Sequence, residues 1–441
     1  MREKISQAQT NLLEKSKAFL RKRDMRPARQ AVTDPENYLS VWAPGSLGNL
    51  RVQCLHQARW ISKSLVIAYL RNLINLGREG DVVLDRVDPS FKYERIAISW
   101  CVESDFLPDG DVRSRYFNCT TDDLDGVLWI MLPLDGKTLK NKKANVIFLN
   151  RNKPEGFSLT GFLKNAFFCL TRNVSFTPDG LFAQKFADEI VTKVNIQSAL
   201  ALLMPYEGQP WQHTVFLNVK KQNKNIHILG DLHSCLPPLP TDFIKRCGAP
   251  DTFFLHGAGQ KDIAVQSLGW DKGDIKVVPS LRFGKDNSVD IRSKILLPYS
   301  FHDASLILSQ LDSFFKNFSD AVPDLDIRNH PAQSESAPHR ALIAGIQELQ
   351  AKYKNNNNAP TSDKDVVLVV GSSSAIIECL ERGMTVFQVT EDPVFESYSP
   401  EIWAGLNVEY LDDNIIKYST KGNPAYLEFG KSDIQMMFEN A

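Results

Sequence analysis

From residue 225 onward, short apolar runs alternate with amphipathic stretches, the pattern of strands alternating with helices around a parallel sheet. The runs occupy residues 226–229, 252–255, 275–278, 295–297, 325–328, 366–370 and 386–389. Between them, residues 303–318 place Ile307, Leu311, Phe314, Phe315 and Phe318 on one helical face. Residues 339–353 repeat the pattern with Leu342, Ile343, Ile346 and Leu349. Residues 354–362, which include Asn355 to Asn358 and Pro360, predict an exposed loop. The first half is less regular. Strands are predicted at 95–100, 127–132 and 144–149, helices at 58–76 and 181–203, and residues 1–24 are charged with a helical pattern. Pro205 and Pro210 interrupt the apolar pattern of the last of these helices, so the chain is expected to divide there into two α/β domains, 1–205 and 206–441.

A length of 441 residues suits two domains of ordinary size. Lys and Arg number 51 against 52 Asp and Glu, so nothing supplies the basic face that a nucleic acid partner needs. The seven cysteines have no regular spacing, which argues against a zinc knuckle or a disulfide framework and fits a reducing cytoplasm. No apolar signal core and no run of 18 apolar residues occurs, so neither secretion nor a membrane span is expected.

Candidate chemistry gathers at strand ends. The apolar run 366–370 ends in Gly371, Ser372, Ser373 and Ser374, and a helix is predicted from Ala375. Unpaired N–H groups at a helix start, joined by hydroxyls, can hold a phosphate. Glu378 follows one turn later, where it can accept from ribose hydroxyls. A serine cap on an ordinary helix gives the same pattern. His330 stands before Pro331 and two residues after Arg328, at a strand tip where an imidazole can donate to a departing phosphate. A plain loop histidine fits that position too. The hexamer Tyr206, Glu207, Gly208, Gln209, Pro210, Trp211 brackets a carboxylate with aromatics and prolines, the surroundings of a general base or of a glutamate that caps a linker. His233 and Ser234 follow the strand 226–229 and can reach a bound ligand. Asp123 and Asp125 have the spacing of a metal-binding pair but precede a strand, so they read as a solvated turn and no metal site is predicted. No Gly-x-Gly-x-x-Gly, P-loop or Gly-x-Ser-x-Gly motif is present, which removes support from dehydrogenase, NTPase and hydrolase readings.

The order Glu207-Gly208, His330-Pro331, Ser372-Ser373-Ser374 resembles that of the bacterial sialyltransferases and Kdo transferases with the GT-B fold. The hexamer with Gly230-Asp231-Leu232-His233-Ser234 is similar to bacterial O-antigen and capsule biosynthesis glycosyltransferases, and the likeness spans residues 203–411. The resemblance implies an α/β fold of two Rossmann-like domains facing each other across a cleft, the N-terminal one binding the acceptor and the C-terminal one the nucleotide sugar. It implies metal-independent transfer of a nonulosonic acid or Kdo-type sugar from a CMP-activated donor to a surface glycan, without a cofactor. Glu207 would be the base and His330 the phosphate partner. Gly371, Ser372, Ser373 and Ser374, with Glu378 and Arg328, would hold the nucleotide, while Tyr206, Gln209, Trp211, His233 and Ser234 would line the acceptor side. Tyr206 and Asn329 depart from the pattern, standing where those enzymes often carry a second acid and a proline. A lipid-linked acceptor would bring the chain to the inner face of a membrane. Residues 159–170 are apolar enough to meet that surface, and a helix packed in the core accounts for them as well. A UDP-sugar transferase or nucleotide-sugar epimerase, and a non-catalytic glycan-assembly protein, are the rival readings.

Overall fold

The computed structural model describes residues 2–24, 74–133, 143–152, 156–172, 174, 178–281, 294–299, 301–317, 325–330, 333, 336–354, 366–430 and 433–439. In chain order its elements are α1 (Arg2–Asp24), β1 (Val82–Leu84), β2 (Arg95–Cys101), β3 (Arg113–Ser114), β4 (Cys119–Thr120), β5 (Val127–Pro133), β6 (Val146–Arg151), α2 (Leu159–Arg172), α3 (Pro178–Lys193), β7 (Ala201–Pro205), α4 (Pro210–Gln222), β8 (His227–Asp231) and β9 (Thr252–Leu255). They continue with α5 (Ala258–Ser267), β10 (Ile275–Val277), β11 (Lys294–Leu296), α6 (Ala304–Asn317), β12 (Asp326–Arg328), α7 (Ala337–Lys354), β13 (Val366–Val370), α8 (Ala375–Glu381), β14 (Thr385–Val389), α9 (Pro393–Glu396), β15 (Leu406–Asp412), β16 (Ile415–Thr420) and α10 (Ile434–Glu439).

Two sheets carry the fold. The first has the order β1-β6-β5-β2-β7-β8-β9-β10 and is parallel throughout except for the edge strand β1. The second has the order β12-β11-β13-β14-β16-β15, four parallel strands followed by an antiparallel hairpin. Strands such as β5, β7 and β13 are apolar along almost their whole length because both sheet faces are covered. The α/β architecture with two parallel-sheet units is the one the alternating pattern predicts.

The expected division at 205/206 does not hold. β7 and β8 are neighbours in one sheet, with Ala201 to Pro205 in register with His227 to Asp231, so that cut would separate paired strands. The first sheet runs on to Val277 and the second begins at Lys294. The helix expected at 181–203 ends at Lys193, and its last residues are the buried strand β7. A short, fully apolar run has no period that distinguishes strand from helix. Pro205 therefore ends a strand, and Pro210 occupies the first turn of α4, where its missing N–H costs nothing. Of the helix expected at 58–76, residues 58–73 lie outside the described residues, as do 355–362 of the expected asparagine loop. Residues 159–170 do form a helix, α2, but not a core helix: Asn165 and Cys169 are its buried members. Among the described residues no helix is long and apolar enough to cross a membrane.

The sheets share a core. Leu236, Leu239 and Phe243, from the segment after β8, belong to the same buried cluster as Tyr398, Trp403 and Tyr426 from the second unit. Gln9 on α1 clamps the junction, its Nε2 donating to the carbonyls of Val394 (2.8 Å) and Ser397 (2.7 Å). After β16 the chain returns to the first sheet, where Ile434, Met437 and Phe438 of α10 pack with Trp129 and Phe148. Trp403 is fully buried, and its indole N–H donates to the Pro238 carbonyl at 3.0 Å. Trp403→Ala is expected to cost about 3–5 kcal/mol, measured by urea unfolding; a loss below about 1 kcal/mol would show that the junction does not govern stability.

Candidate functional site

In a parallel sheet the loops after the strands collect at one carboxyl edge, where ligands usually bind. Glu207 lies at that edge of the first sheet, one residue beyond the end of the ladder, where the Tyr206 N–H donates to the Asp231 carbonyl at 2.7 Å. Gly208 then turns with φ +67°, and a Cβ there would meet the Asp242 carbonyl oxygen at 2.1 Å, so only glycine fits. Gln212 fixes the turn from α4. Its side-chain oxygen accepts from the N–H groups of Glu207 (3.0 Å) and Gln209 (3.1 Å), and its Nε2 donates to the Pro205 carbonyl (2.7 Å). Sequence reading missed Gln212, although its spacing from Gln209 is that of a capping box.

The Glu207 carboxylate accepts from Gln209 Nε2 (2.5 Å) and stands 3.5 Å from His233 Nδ1. Gln209 in turn accepts from the Trp211 indole N–H. Aromatic rings wall the group: Tyr116 lies edge-on to His233 (4.7 Å), Trp100 against Tyr116 (4.9 Å), and Trp211 against Trp100 (5.9 Å). Although 33% of the Glu207 side chain stays exposed, burial pushes its carboxyl above the usual range, opposed by the Gln209 hydrogen bond. The structure thus joins Glu207, Gln209, Trp211 and His233 in one site. Trp100 and Tyr116 complete it, and no motif in the sequence marks either. Ser234 is half-buried nearby, its Oγ 3.5 Å from the Cys235 carbonyl. Tyr206 corrects the expectation of a cleft residue: its ring is wholly buried among Phe216, Phe243 and Phe253, with its hydroxyl bonded to His213 Nε2 at 2.7 Å.

Behind Glu207 sits a buried pair that sequence reading did not assign. Asp231 ends β8 and His256 follows β9, both at the carboxyl edge, with 4.0 Å between Oδ1 and Nε2. Neither Asp231 oxygen nor His256 Nε2 has a hydrogen-bond partner among the described residues, and Nδ1 meets the Val278 carbonyl at 3.2 Å. Burial disfavours charge on both. The Asp231 carboxyl is pushed up to about 8, and the His256 imidazole is pushed down to about 4.

The second sheet has its own carboxyl edge. Gly371 turns with φ +68°, and its N–H donates to the Val389 carbonyl at 2.7 Å. A buried network holds the turn. Gln388 Nε2 donates to the Gly371 carbonyl (2.8 Å), the Tyr418 hydroxyl donates to Gln388 Oε1 (2.7 Å), and the Tyr398 hydroxyl donates to the Ser373 carbonyl (3.3 Å). Ser372, Ser373 and Ser374 are half-buried, and Ser373 Oγ accepts from the Ala375 N–H at 3.2 Å. The helix that follows has only seven residues. Glu378 does not stand open for a ribose: Arg382 grips its carboxylate at 3.1 Å. His330 sits beyond β12, with its ring 5.3 Å from Tyr299. β12 precedes β13 in the chain, but β11 lies between them in the sheet, so His330 and the serine turn are about 10 Å apart by strand spacing. Arg328, half-buried, ends β12.

The two edges are tied together. Tyr398, which holds Ser373, shares a core with Cys235, two residues after His233, and packs on Trp403 at 4.7 Å. Among the described residues no group of three His, Cys, Asp or Glu is placed to hold a metal ion.

The shifts at Asp231 and His256 set a pH dependence of stability. Between about pH 4 and 8 the folded chain keeps a proton on Asp231 that the unfolded chain has lost, so stability falls as pH rises through that window. His256 acts the other way: the unfolded imidazole is protonated below about 6.5 and the folded one is not, so stability falls as pH drops from 6.5 to 4. Above pH 6.5 Asp231 acts alone. Unfolding free energy is expected to drop by about 2 kcal/mol between pH 6.5 and 8, and Asp231→Asn should flatten that slope. A variant with the wild-type slope in stepped-pH urea titrations would assign the effect to another group.

No family model matches the chain, and no curated protein matches it. Solved structures with some similarity include an alpha,alpha-trehalose-phosphate synthase (UDP-forming) from Burkholderia vietnamiensis, with 10% identity over 72% of this chain and 91% of that one and a TM-score of 0.35. The wall teichoic acid polymerase TagF is another, with 12% identity over 75% of this chain and 76% of that one and a TM-score of 0.30.

Proposed function

We propose that this chain is a GT-B-like glycosyltransferase that moves a nonulosonic acid or Kdo-type sugar from its CMP ester to a hydroxyl of a bacterial surface glycan. The observation that carries the reading is Glu207: a carboxylate on a glycine-dependent turn, raised in pKa by burial, facing His233 inside a ring of aromatics. A general base for a sugar hydroxyl needs such a fixed, partly desolvated carboxylate. Aromatic faces such as Trp100, Tyr116 and Trp211 suit the apolar faces of sugar rings. In this mechanism Glu207 takes the proton of the acceptor hydroxyl as its oxygen bonds the anomeric carbon. The bond from that carbon to the phosphate oxygen breaks, and CMP leaves with the electron pair.

The second edge supplies the donor side. His330, Arg328 and the turn Gly371 to Ser374 are the groups there with donors suited to a single phosphate. Glu378, paired with Arg382, supports the helix in this scheme and leaves the ribose to other groups. The motif order noted in the sequence supports the choice of CMP, and the junction between Cys235 and Tyr398 supports a site shared by the two edges.

Glu207→Gln should lower kcat about 10²–10⁴-fold, with CMP binding intact by calorimetry. Because the Glu207 carboxyl is raised, the acid limb of the kcat/KM profile should lie above the ordinary glutamate value of 4.5. In Gln209→Ala it should move further up, since the hydrogen bond that favours the charged form is lost. Full activity in Glu207→Gln would remove it as the base. Tight UDP binding with no CMP effect would overturn the donor class.

A further inference from the structure

The helix α2 packs Cys169, Phe162 and Phe168 against Leu76 and Leu181, yet turns a second apolar row to solvent. A surface helix normally turns its apolar stripe to the core and its polar face to water. In α2 the buried side carries Asn165, whose amide donates to the carbonyls of Leu76 (2.8 Å) and Glu79 (2.9 Å) and accepts from Lys185 Nζ (2.9 Å). Leu159, Leu163, Phe167 and Leu170 recur every three or four residues on the other side, and Phe157 extends the row before the helix. These five side chains are between 51% and 69% exposed. Single exposed apolar residues are ordinary, but a continuous row of this kind marks a binding surface.

Charge indicates the occupant. α2 contains Lys164 and Arg172 and no acidic residue. Both cations are more than half exposed, and each pairs with a side chain of another segment: Lys164 with exposed Asp81 (2.9 Å) and Arg172 with Asp188 (3.1 Å). Exposed pairs of this type hold weakly and can be exchanged for another anion. Leucine and phenylalanine on one face with cations at its flanks is the composition of helices that lie in a bilayer interface, apolar side down and cations among anionic headgroups. We propose that α2 is a peripheral membrane-docking helix that seats the chain on an anionic lipid surface.

Vesicle partition tests the proposal without any transfer assay, so its outcome is independent of the reading of Glu207. The full chain is centrifuged with vesicles of phosphatidylcholine alone and of phosphatidylcholine mixed with phosphatidylglycerol, at low and high salt. The chain is expected to pellet with the mixed vesicles, less so at high salt. Leu163→Gln/Phe167→Gln should lose at least about tenfold in partition, with an unchanged thermal melt because both side chains face outward. Lys164→Gln/Arg172→Gln, which keeps the apolar row, should lose the preference for phosphatidylglycerol. Failure to bind either vesicle, or binding that survives Leu163→Gln/Phe167→Gln, would overturn the proposal. So would a concentration-dependent dimer that those substitutions abolish, which would give the face to a second copy.

Discussion

The contact between Trp403 and the segment after β8 sets the position of both candidate edges. β8 delivers Asp231 and His233 to its carboxyl end, but the chain beyond them has no ladder to hold it. It is held from α5, where Gln260 accepts from the Leu236 N–H at 2.9 Å, and from the second unit, by the indole hydrogen bond to Pro238 and the core formed with Tyr398. Tyr398 in turn fixes the carbonyl of Ser373. A displacement of Trp403 therefore reaches the Glu207 site through His233 and the serine turn through Tyr398. Rigid packing transmits such shifts because a close-packed core has few voids to absorb them. α1 reinforces the same joint from the other end of the chain, through Gln9.

Desolvation then determines the charges around Glu207. Asp231 and His256 titrate in opposite directions from the same cause, and both are neutral near pH 7. The Tyr206 hydrogen bond to the Asp231 carbonyl makes β8 the neighbour of the Glu207 turn. An ionised aspartate there would repel charge on Glu207, whereas a protonated one does not. The side chain that faces Glu207 is His233, at 3.5 Å. Two carboxyl groups on adjacent strand ends are thereby differentiated: one is kept neutral by complete burial, the other is raised yet still able to ionise. Two carboxyls with separated proton affinities are the usual basis of acid and base assignments.

Much of this was legible in the sequence, and the parts that were not have physical reasons. The strands 252–255 and 366–370 were read to the residue, because turn residues bound short apolar runs on both sides. β7 was not, since an apolar run that follows an amphipathic helix offers no change of period to mark where one ends. That expectation put the boundary at Pro205, inside the first sheet. Glu207, Gln209, Trp211 and His233, which the fold brings together, can be picked out in the sequence because they are near one another in the chain or flank a strand end. Trp100 and Tyr116 cannot, because the pairing of β2 with β7 brings in Trp100 and only ring contacts with Trp100 and His233 bring in Tyr116. Glu378 was assigned to a ribose from its helix spacing, yet the same spacing gives it Arg382 as an i,i+4 partner.

α2 shows how far a pattern of spacing can carry and where packing must decide. Apolar residues at helical intervals predict an amphipathic helix, and the chain forms one. Periodicity does not say which face turns inward. Asn165 decides, because its amide satisfies two carbonyls and a lysine that the fold has already fixed around residues 76–80, and burying a polar group is favourable only where such partners wait. A leucine at 165 would leave those groups without their partner, so the helix cannot roll over to hide Leu163 and Phe167 without breaking that set. The outward row is thus a constrained feature of the fold. It is held in place by α3 and by the segment around residues 76–80, the elements against which the inner face of α2 packs.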